Sequence, residues 1–520
     1  MRVVLPREMA LIDRAAIEEE GIPGLQLMEH AGTQVARQAG GMLSMGGRVA
    51  IWCGRGNNGG DGLVAARLLA GSMYDVRVYL LAPGELLEGD ALTSYRRLEG
   101  LPVTVEVVKQ PEDISGFSNE SPPFDLVVDA IFGTGFHGTA GGVHAAAIEA
   151  INSYGCPVLS VDIPSGVSGD TGAVDGPAVS ASHTITFAVP KMGLTQYPGA
   201  SCTGELVVAD IGIPHHLVEQ IPESKIFTVA EKDALNLLPP RRRDAHKGTC
   251  GKLLVVGGSP GMTGAVSLCA RAAMRAGAGL VTAAVPEALN PIMEVMLVEP
   301  MTRPLPQSAS GLLSLSAWDW IDSVQDGYDV VVVGPGMGRG PEVTELVRKM
   351  VSGLRTPVVI DADGLNAVGS GPEILADRPG PTVITPHPGE MARLLGCSTA
   401  EVQADRLGAL EEGVSRWGAV VVLKGAGTLT GDPMGTVRVN TSGNPGMASG
   451  GMGDVLAGCI AALIGQGMGM FDAAAAGVFF HGLAGDIAAR ARGMRGLLAG
   501  DVVEHLPLAL NQGRIKQEEG

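Results

Sequence analysis

Asp454 closes a glycine-rich segment, residues 443–454, that runs directly into an apolar helical stretch at 455–463. Free backbone amides at a helix start favour anions, and glycines let the backbone close around a phosphate. A carboxylate beside such a cradle can take the proton from a hydroxyl that attacks the phosphate. The alternative is a flexible loop that Asp454 merely caps. The valine-rich run and the Lys-Gly-Ala-Gly-Thr segment at 424–428, both upstream, favour a phosphate site with its own base.

A second polar loop, residues 54–62, follows a strand-like run at 48–53. Its glycines permit a ligand to approach the backbone closely. Asn57, Asn58 and Asp61 add oxygen ligands that suit a cation or a hydroxyl-bearing substrate. Asp61 in isolation is better explained as the N-cap of the following helix, which the pattern predicts at 63–70.

Two further strand ends carry an aspartate among small residues: Asp129 opens the segment 129–135, and Asp162 lies in 161–166. The carboxyl ends of parallel strands meet at the edge where open α/β sheets bind ligands. We therefore expect the three turns to converge on one crevice. Oxygens of Asn58, Asp129 and Ser165 could surround a monovalent cation there, with Asp61 and Asp162 facing a substrate.

The elements that must position these residues follow a strand-then-helix rhythm, which predicts an α/β fold with parallel sheets. At 520 residues the chain is too long for one core, and we predict two domains, 1–222 and 223–520. The proline-stiffened stretch 221–247 shows no sheet pattern, and its triple arginine at 241–243 is typical of a solvated linker. The predicted strands are 48–53, 76–81, 126–131, 157–163 and 184–189, then 252–258, 330–333, 358–360, 382–384 and 419–423.

Composition limits the partners. The net charge of −18 disfavours nucleic acid, so any phosphate must be held locally. The seven cysteines are scattered and lack CxxC pairs, as expected of reduced residues in the cytoplasm. No stretch reaches the ~20 apolar residues of a membrane span, so we expect a soluble, cytoplasmic protein without a membrane partner. A homo-oligomer is compatible with the sequence, which does not fix the number of subunits.

The first half resembles the NAD(P)H-hydrate epimerase domain over residues 1–220, through NNGGDG, DAIFGTG, VDIPSG and LMEHAG. The resemblance implies epimerisation at C6 of the NADH and NADPH hydrates (NADHX and NADPHX), with Asp61 our first choice as acid or base. It implies potassium (K+) bound by Asn58, Asp129 and Ser165. The residues that it implies for hydrate binding are Asn57, Asn58, Gly59, Gly60, Asp61, Gly133, Thr134, Gly135, Phe136, His137, Gly138, Thr139 and Asp162.

In the second half, motifs follow predicted strand ends in a fixed order: GGS, GPGMG, DADGLN, TPHPGE, KGAGT and the loop ending in Asp454. Taken singly, GPGMG is a turn and His387 a satisfied loop histidine. Together they resemble ribokinase-like folds and, more closely, the ADP- or ATP-dependent NAD(P)H-hydrate dehydratase, over residues 230–510. We therefore predict a Rossmann-like three-layer domain followed by a ribokinase-like α/β domain.

This resemblance implies dehydration of the S hydrate at the expense of ADP or ATP, with Asp454 as base and Mg2+ bridging the nucleotide phosphates. No dedicated carboxylate cage for the magnesium is evident. Hydrate binding is implied for Ala265, Gly338, His387 and Asp454. Nucleotide binding is implied for Lys424, Gly425, Ala426, Gly427, Thr428 and Gly453.

Two departures from the family pattern stand in this half. Met452 occupies the variable position of the GxGD motif, which is tolerated if its side chain points away from the phosphate. Met262 stands where an aromatic residue is expected, which weakens the case for stacking against the substrate. Two other functions remain open. The second domain could be a kinase of a small alcohol, such as a hydroxymethylpyrimidine or a sugar, or the chain could be a non-catalytic nucleotide sensor.

Overall fold

The computed structural model describes residues 1–114, 117, 121–369 and 371–518. The chain forms two compact units, one of residues 2–225 and one of Met1 with residues 226–520. Each unit contains a parallel sheet covered by helices, so the predicted α/β class is confirmed.

The first unit takes its strands and helices from residues 2–220. They are β1 (Arg2–Val3), α1 (Pro6–Glu18), α2 (Gly24–Met42), β2 (Arg48–Cys53), α3 (Asn57–Ala70), β3 (Asp75–Leu80), α4 (Gly89–Arg96), β4 (Val103–Val107), β5 (Leu126–Ala130), α5 (Gly142–Ser153), β6 (Val158–Val161), β7 (His183–Phe187), α6 (Gly199–Thr203), β8 (Glu205–Ala209) and α7 (His215–Gln220).

The sheet of the first unit has the strand order β4-β3-β2-β5-β6-β7-β8, with every neighbouring pair parallel. The chain runs outward from β2 to one edge and then returns to β5 to build the other edge. The strand order therefore reverses between β2 and β5, which is the position where open parallel sheets bind ligands. The two faces of β2 belong to two different apolar clusters, as expected of a sheet that helices cover on both sides.

The second unit takes its elements from residues 225–518. They are β9 (Lys225–Val229), α8 (Glu231–Leu237), β10 (Lys252–Val256), α9 (Thr263–Arg275), β11 (Leu280–Pro286), α10 (Asn290–Met296), β12 (Met301–Leu305), α11 (Ala317–Val324), β13 (Val330–Val333), α12 (Pro341–Gly353), β14 (Val358–Ile360), α13 (Asp363–Val368), β15 (Thr382–Ile384), α14 (Pro388–Leu395), α15 (Thr399–Ala404), α16 (Arg406–Trp417), β16 (Val420–Leu423), β17 (Leu429–Gly431), β18 (Thr436–Asn440), α17 (Met452–Gly465), α18 (Met470–Arg492) and α19 (Ala499–Glu518).

Its sheet has the order β9-β18-β17-β16-β15-β14-β13-β10-β11-β12, parallel from β16 to β12. β17 is antiparallel to both β16 and β18. The order reverses between β10 and β13, and the ends of β14, β15 and β16 follow along the same edge. Buried residues of α9, α17 and α18 form one core with alternate residues of these strands.

Three local predictions differ from the structure. Residues 221–247 were expected to lack a sheet pattern, yet they contain β9 and α8. β9 is only five residues long and buries one face more than the other. The residue pattern that would predict a strand is therefore weak. Helix α3 begins at Asn57, six residues before the predicted start, and α17 begins at Met452 instead of 455. In both helices tertiary packing overrides the poor helix propensity of glycine.

No helix in the described ranges combines the length and apolarity needed to cross a bilayer. All seven cysteines are free, and four of them are buried.

Candidate active sites

Asp61 lies within helix α3 and does not cap it. Gly56 is the N-cap of this helix, so Asp61 is in its second turn. The helix starts early because Gly59 lies against the backbone of Gly54, where a Cβ atom would come within 1.9 Å of the Gly54 carbonyl oxygen. Asp61 is only 8% exposed. Burial raises the pKa of its carboxyl well above the usual value, and the charges of Asp162 and Asp13 raise it further.

Asp129, the fourth residue of β5, is a fully buried carboxylate that accepts four hydrogen bonds. The hydroxyl and the amide of Ser165 donate to it at 2.5 and 2.9 Å, and the Ser160 hydroxyl donates at 2.8 Å. The Ile131 amide donates at 3.3 Å. Burial raises the pKa of Asp129, and the four hydrogen bonds lower it without cancelling the effect of burial. A positive charge beside the carboxylate would favour its ionised form.

Asn58 is joined to the same group through Phe132. Its amide nitrogen donates to the Phe132 carbonyl at 2.8 Å, and the Phe132 amide donates to the Ser165 hydroxyl at 2.9 Å. Asn58, Asp129 and Ser165 thus lie in one hydrogen-bonded network. Carboxylate, amide and hydroxyl oxygens are the donors that hard cations such as potassium take, so the residues present fit the ion.

Two adjacent strands end in tight turns with strained backbone. Asp162 after β6 and Ala188 after β7 have φ of 65° and 59°. Each is the centre of a three-residue turn closed by a short hydrogen bond, Ile163 to Val161 at 2.8 Å and Val189 to Phe187 at 2.7 Å. This γ-turn geometry is rare and costs on the order of 1–3 kcal/mol. The strain directs Asp162 away from the strand, where Lys191 donates to its Oδ1 at 2.6 Å.

The segment 133–139 begins close to these groups. A Cβ atom on Gly133 would be 3.2 Å from both Asp162 Oδ2 and Asn58 Cγ. Phe136 stacks on Phe132 with ring centroids 4.7 Å apart. Asn57 and residues 135 and 137–139 are exposed, Thr134 is half-buried, and Gly59 and Gly60 are buried beneath them.

Sequence reasoning missed Asp13, Thr186 and Lys191 in the first unit. Lys191 is 1% exposed, and Asp13 has a pKa raised to about 6, first by burial. A lysine directly after an apolar strand was the one signal that marked this cluster.

In the second unit, the N-cap of α17 is Gly451 with φ of 89°, and Asp454 is the third residue of the helix. Asp454 makes no capping hydrogen bond, so the first amides of the helix are free to meet an anion. Burial and the neighbouring Asp361 raise the pKa of Asp454 to about 7, against the lowering effect of Lys424. The side chain of Met452 is buried in the apolar core.

The ends of β14, β15 and β16 bring together a charged cluster beneath this helix. Lys424 Nζ lies 2.6 Å from Asp361 Oδ1 and 3.7 Å from Glu390 Oε2. Thr385 donates to the same Asp361 oxygen at 2.7 Å. Burial alone would lower the pKa of Lys424, but the two carboxylates outweigh it and raise the pKa. A Cβ atom on Gly453 would be 3.4 Å from Lys424 Nζ, so the cation lies against the helix start.

His387 is the N-cap of α14, and its Nδ1 accepts from the amides of Gly389 and Glu390 at 3.0 and 3.4 Å. Nδ1 is therefore the acceptor and the ring proton is on Nε2. Burial, then Lys424 and Arg393, lower the pKa of the ring, which keeps it neutral. The side chain is 53% exposed, and its Nε2 lies 3.5 Å from Glu390 Oε1.

Gly338 and Ala265 lie at the reversal of strand order between β10 and β13. The Gly338 amide donates to Asp363 Oδ2 at 2.9 Å, and its φ of 77° suits glycine. A Cβ atom on Gly336 would be 3.0 Å from Ala265 Cβ, so the turn after β13 lies on the start of α9. Met262, the N-cap of α9, is 40% exposed.

Two hydrogen bonds hold the turn 424–428 after β16 in place. Thr428 Oγ1 donates to the Gly425 carbonyl at 2.7 Å, and Arg406 donates to the Leu423 carbonyl at 3.1 Å. Gly425 and Gly427 have φ of 144° and 63°, which other residues rarely adopt. In this unit sequence reasoning missed Asp361, Asp363, Glu390 and Arg406, although the first three lie in motifs that it quoted.

Both halves of the chain match known protein families. The family described as YjeF-related protein N-terminus matches residues 24–193, and the family Carb_kinase, described as NAD(P)H-hydrate dehydratase, matches residues 253–508. A Bacillus subtilis ADP/ATP-dependent NAD(P)H-hydrate dehydratase, co-crystallised with ATP and Mg2+, is 28% identical over 55% of this chain and 98% of its own, with a TM-score of 0.48.

Full-length relatives carry the same two halves in one chain. The bifunctional NAD(P)H-hydrate repair enzyme of Moorella thermoacetica is 46% identical over 98% of this chain and 97% of its own. That of Escherichia coli is 38% identical over 96% of this chain and 92% of its own. The resemblance predicted from the motifs is confirmed. The chain belongs to the family of bifunctional NAD(P)H-hydrate repair enzymes.

Proposed function

We propose that residues 1–222 epimerise the R and S hydrates of NADH and NADPH, and that residues 223–520 dehydrate the S hydrate with ADP or ATP. The order of the two family matches along the chain supports this division. Epimerisation in the first unit would allow the second to consume the whole hydrate pool. The free cysteines support work in a reducing compartment such as the cytoplasm.

For the first unit, the proposed catalyst is Asp61. Inverting a carbinolamine carbon requires a proton to leave the hydroxyl and another to reach the ring nitrogen. Asp61 is buried in α3, and burial raises its pKa well above the usual value, which favours the protonated form that can donate. The exposed Asn57 and the segment 133–139 would hold the hydrate above it.

The proposed potassium site consists of Asn58, Asp129 and Ser165. Support comes from the buried Asp129 carboxylate, which has hydrogen-bond donors around it. The ion would balance this charge and supply electrostatic stabilisation beside the substrate. The protein would hold the ligand oxygens in place through the hydrogen bonds of Phe132 and the turn that contains Ser165.

For the second unit, Asp454 takes the proton of the C6 hydroxyl as that oxygen attacks the terminal phosphoryl of the nucleotide. The amides of residues 450–453 and the Lys424 ammonium face the charge that develops. The ring nitrogen then expels the phosphate, and loss of a neighbouring proton restores the double bond. His387 Nε2–H and Gly338 would orient the hydrate, and residues 424–428 with Gly453 would hold the nucleotide.

Magnesium would enter with the nucleotide and balance its phosphates. Within the described ranges no group of three or more His, Cys, Asp or Glu residues is arranged to hold a metal. Mg2+ commonly takes one or two carboxylates and completes its shell with phosphates and waters. Asp361 and Glu390, both close to Lys424, are the carboxylates placed to take part.

One observation carries the dehydratase proposal: Asp454 lies at a helix start without a side-chain cap, with a pKa raised to about 7, near the half-buried Lys424. The test is to give the full chain mixed R and S hydrates with ADP, with ATP and with neither. We expect complete conversion to reduced nicotinamide with a nucleotide and none without it. A small-alcohol kinase would instead accumulate a stable phosphate ester, and a nucleotide sensor would leave both epimers unchanged.

The pH dependence of dehydration follows from Asp454. A base works only when ionised, so the rate should rise with pH through about 7 and level off above it. Initial rates with saturating S hydrate and nucleotide, measured between pH 5 and 9, would show this limb. A rate that is already maximal well below pH 6 would contradict the assignment.

A further inference from the structure

Lys191 is a buried cation whose donors are all in use. Its ammonium group donates to Asp162 Oδ1 at 2.6 Å, to Thr186 Oγ1 at 3.1 Å and to the Phe187 carbonyl at 3.1 Å. An ammonium carries three protons, so none remains for a substrate. Burying a lysine is costly without an anionic partner, and Asp162 is that partner. Any role of Lys191 in the reaction must therefore act through Asp162.

The two oxygens of Asp162 face different surroundings. Oδ1 accepts from Lys191 and from the Thr186 hydroxyl at 3.1 Å. Among the residues that the structure describes, no donor lies within hydrogen-bond distance of Oδ2. A Cβ atom on Gly133 would lie 3.2 Å from Oδ2 and 3.2 Å from Asn58 Cγ. Oδ2 therefore faces the two segments proposed to hold the hydrate.

Other titratable groups surround this carboxylate on every neighbouring element. Asp13 comes from α1 and Asp61 from α3, and Cys53 of β2 lies behind Asp61. Burial raises the pKa of both aspartates, to about 6 for Asp13 and well above the usual range for Asp61. Lys191 is the cation that acts on both. The arrangement places Asp61, whose raised pKa favours the protonated form, near the Asp162 carboxylate that Lys191 holds by a hydrogen bond.

We propose that Lys191 is a positioning residue for epimerisation, which holds Asp162 Oδ1 so that Oδ2 is presented to the hydrate as the proton acceptor. The inference rests on the epimerase function proposed for this unit. Asp162 takes the proton of the C6 hydroxyl as the C6–O double bond forms and the bond from C6 to the ring nitrogen breaks. Asp61 gives its proton to that nitrogen. After rotation about the C5–C6 bond the nitrogen attacks the other face of C6, and both protons return.

The test is Lys191→Met in the full chain, with R-hydrate consumption followed by chromatography of the epimers from pH 5 to 9. Without the ammonium, Asp162 Oδ1 keeps only the hydrogen bond from Thr186 and is held less firmly. We expect kcat to fall about tenfold at pH 7 and KM to stay near the parental value. Lys191→Arg retains the cation and its hydrogen-bond donors and should restore most of the parental kcat.

Lys109→Met, an exposed lysine of the same unit, controls for the loss of a positive charge. An unchanged kcat, or a rise in KM that accounts for the whole loss of kcat/KM, would overturn the role of Lys191. If Lys191→Met does not fold, Thr186→Val decides, since it removes one hydrogen bond to Oδ1 without changing charge. A smaller fall in kcat with KM unchanged supports the proposal, and an unchanged kcat rejects it. Failure of the parent protein to interconvert the hydrates would instead reject the epimerase function itself.

Discussion

Asp454→Asn should abolish dehydration and leave epimerisation intact. Asparagine keeps the shape of the side chain and can still donate a hydrogen bond, but it cannot accept the proton of the hydroxyl. Phosphoryl transfer should therefore fall by the ~10²–10⁴ that accompanies loss of a general base. Nucleotide binding should survive, because the amides at the start of α17 and the Lys424 ammonium are unchanged.

The same substitution should not cost stability. The folded pKa of Asp454, about 7, lies above the ordinary 3.8, so ionising this group in the folded state opposes folding as pH rises between these values. Removing the charge should therefore leave the melting temperature at pH 8 equal to or above that of the parent. Loss of an N-cap would do the opposite, but Gly451 holds that position.

Asp319→Asn provides the matched control. Asp319 is also the third residue of its helix, α11, in the same unit, and it is exposed. Its substitution should leave turnover of the S hydrate unchanged. Near-parental turnover by Asp454→Asn, with ADP or with ATP, would reject the catalytic role, whereas a folded, nucleotide-binding and inactive protein would support it.

The second large effect is expected for Asp129→Ala. This change removes the only charged member of the proposed potassium site, so epimerisation should fall by about 10² and lose its dependence on potassium. Rates measured across a potassium titration, with a bulky organic cation keeping ionic strength constant, would check this. Equal parental rates in potassium and in the organic cation would contradict a bound ion.

Ser160→Ala separates the ion from the packing around it. Ser160 donates to Asp129 Oδ2 at 2.8 Å but is not one of the proposed ligands. Its loss should leave the potassium concentration for half-maximal rate near the parental value. Alanine at position 129 would leave the hydroxyl donors of Ser165 and Ser160 unsatisfied. If the unit then unfolds, Asp129→Asn is the second variant, because asparagine removes the charge and keeps the volume.

The sequence alone determined the α/β class, ten strand positions and the motifs that carry the family. These signals are local: an apolar run followed by a glycine-rich turn marks a buried parallel strand and the ligand-binding end of it. Asp61, Asp129, Asp162 and Asp454 could be selected on that basis alone. Among the strands that were not predicted, β9 and β17 are short, and a strand of three to five residues carries little periodicity.

Only the tertiary structure decided what the selected carboxylates do locally. Asp61 and Asp454 could each have been a helix cap, but the helices begin before them, at Asn57 and Met452. Glycine-rich sequence has poor helix propensity, so these early starts depend on contacts such as that of Gly59 with the backbone of Gly54.

The partners of the carboxylates were equally hidden from the sequence. Lys191 donates a hydrogen bond to Asp162, which is 29 positions away in the sequence. Lys424 donates to Asp361, which is 63 positions away. Neither separation matches a helical or strand repeat, because each pair joins the ends of different strands that only the sheet order makes neighbours. The residue types that do chemistry are therefore visible in the sequence. Their protonation states depend on burial and on charges brought close by folding.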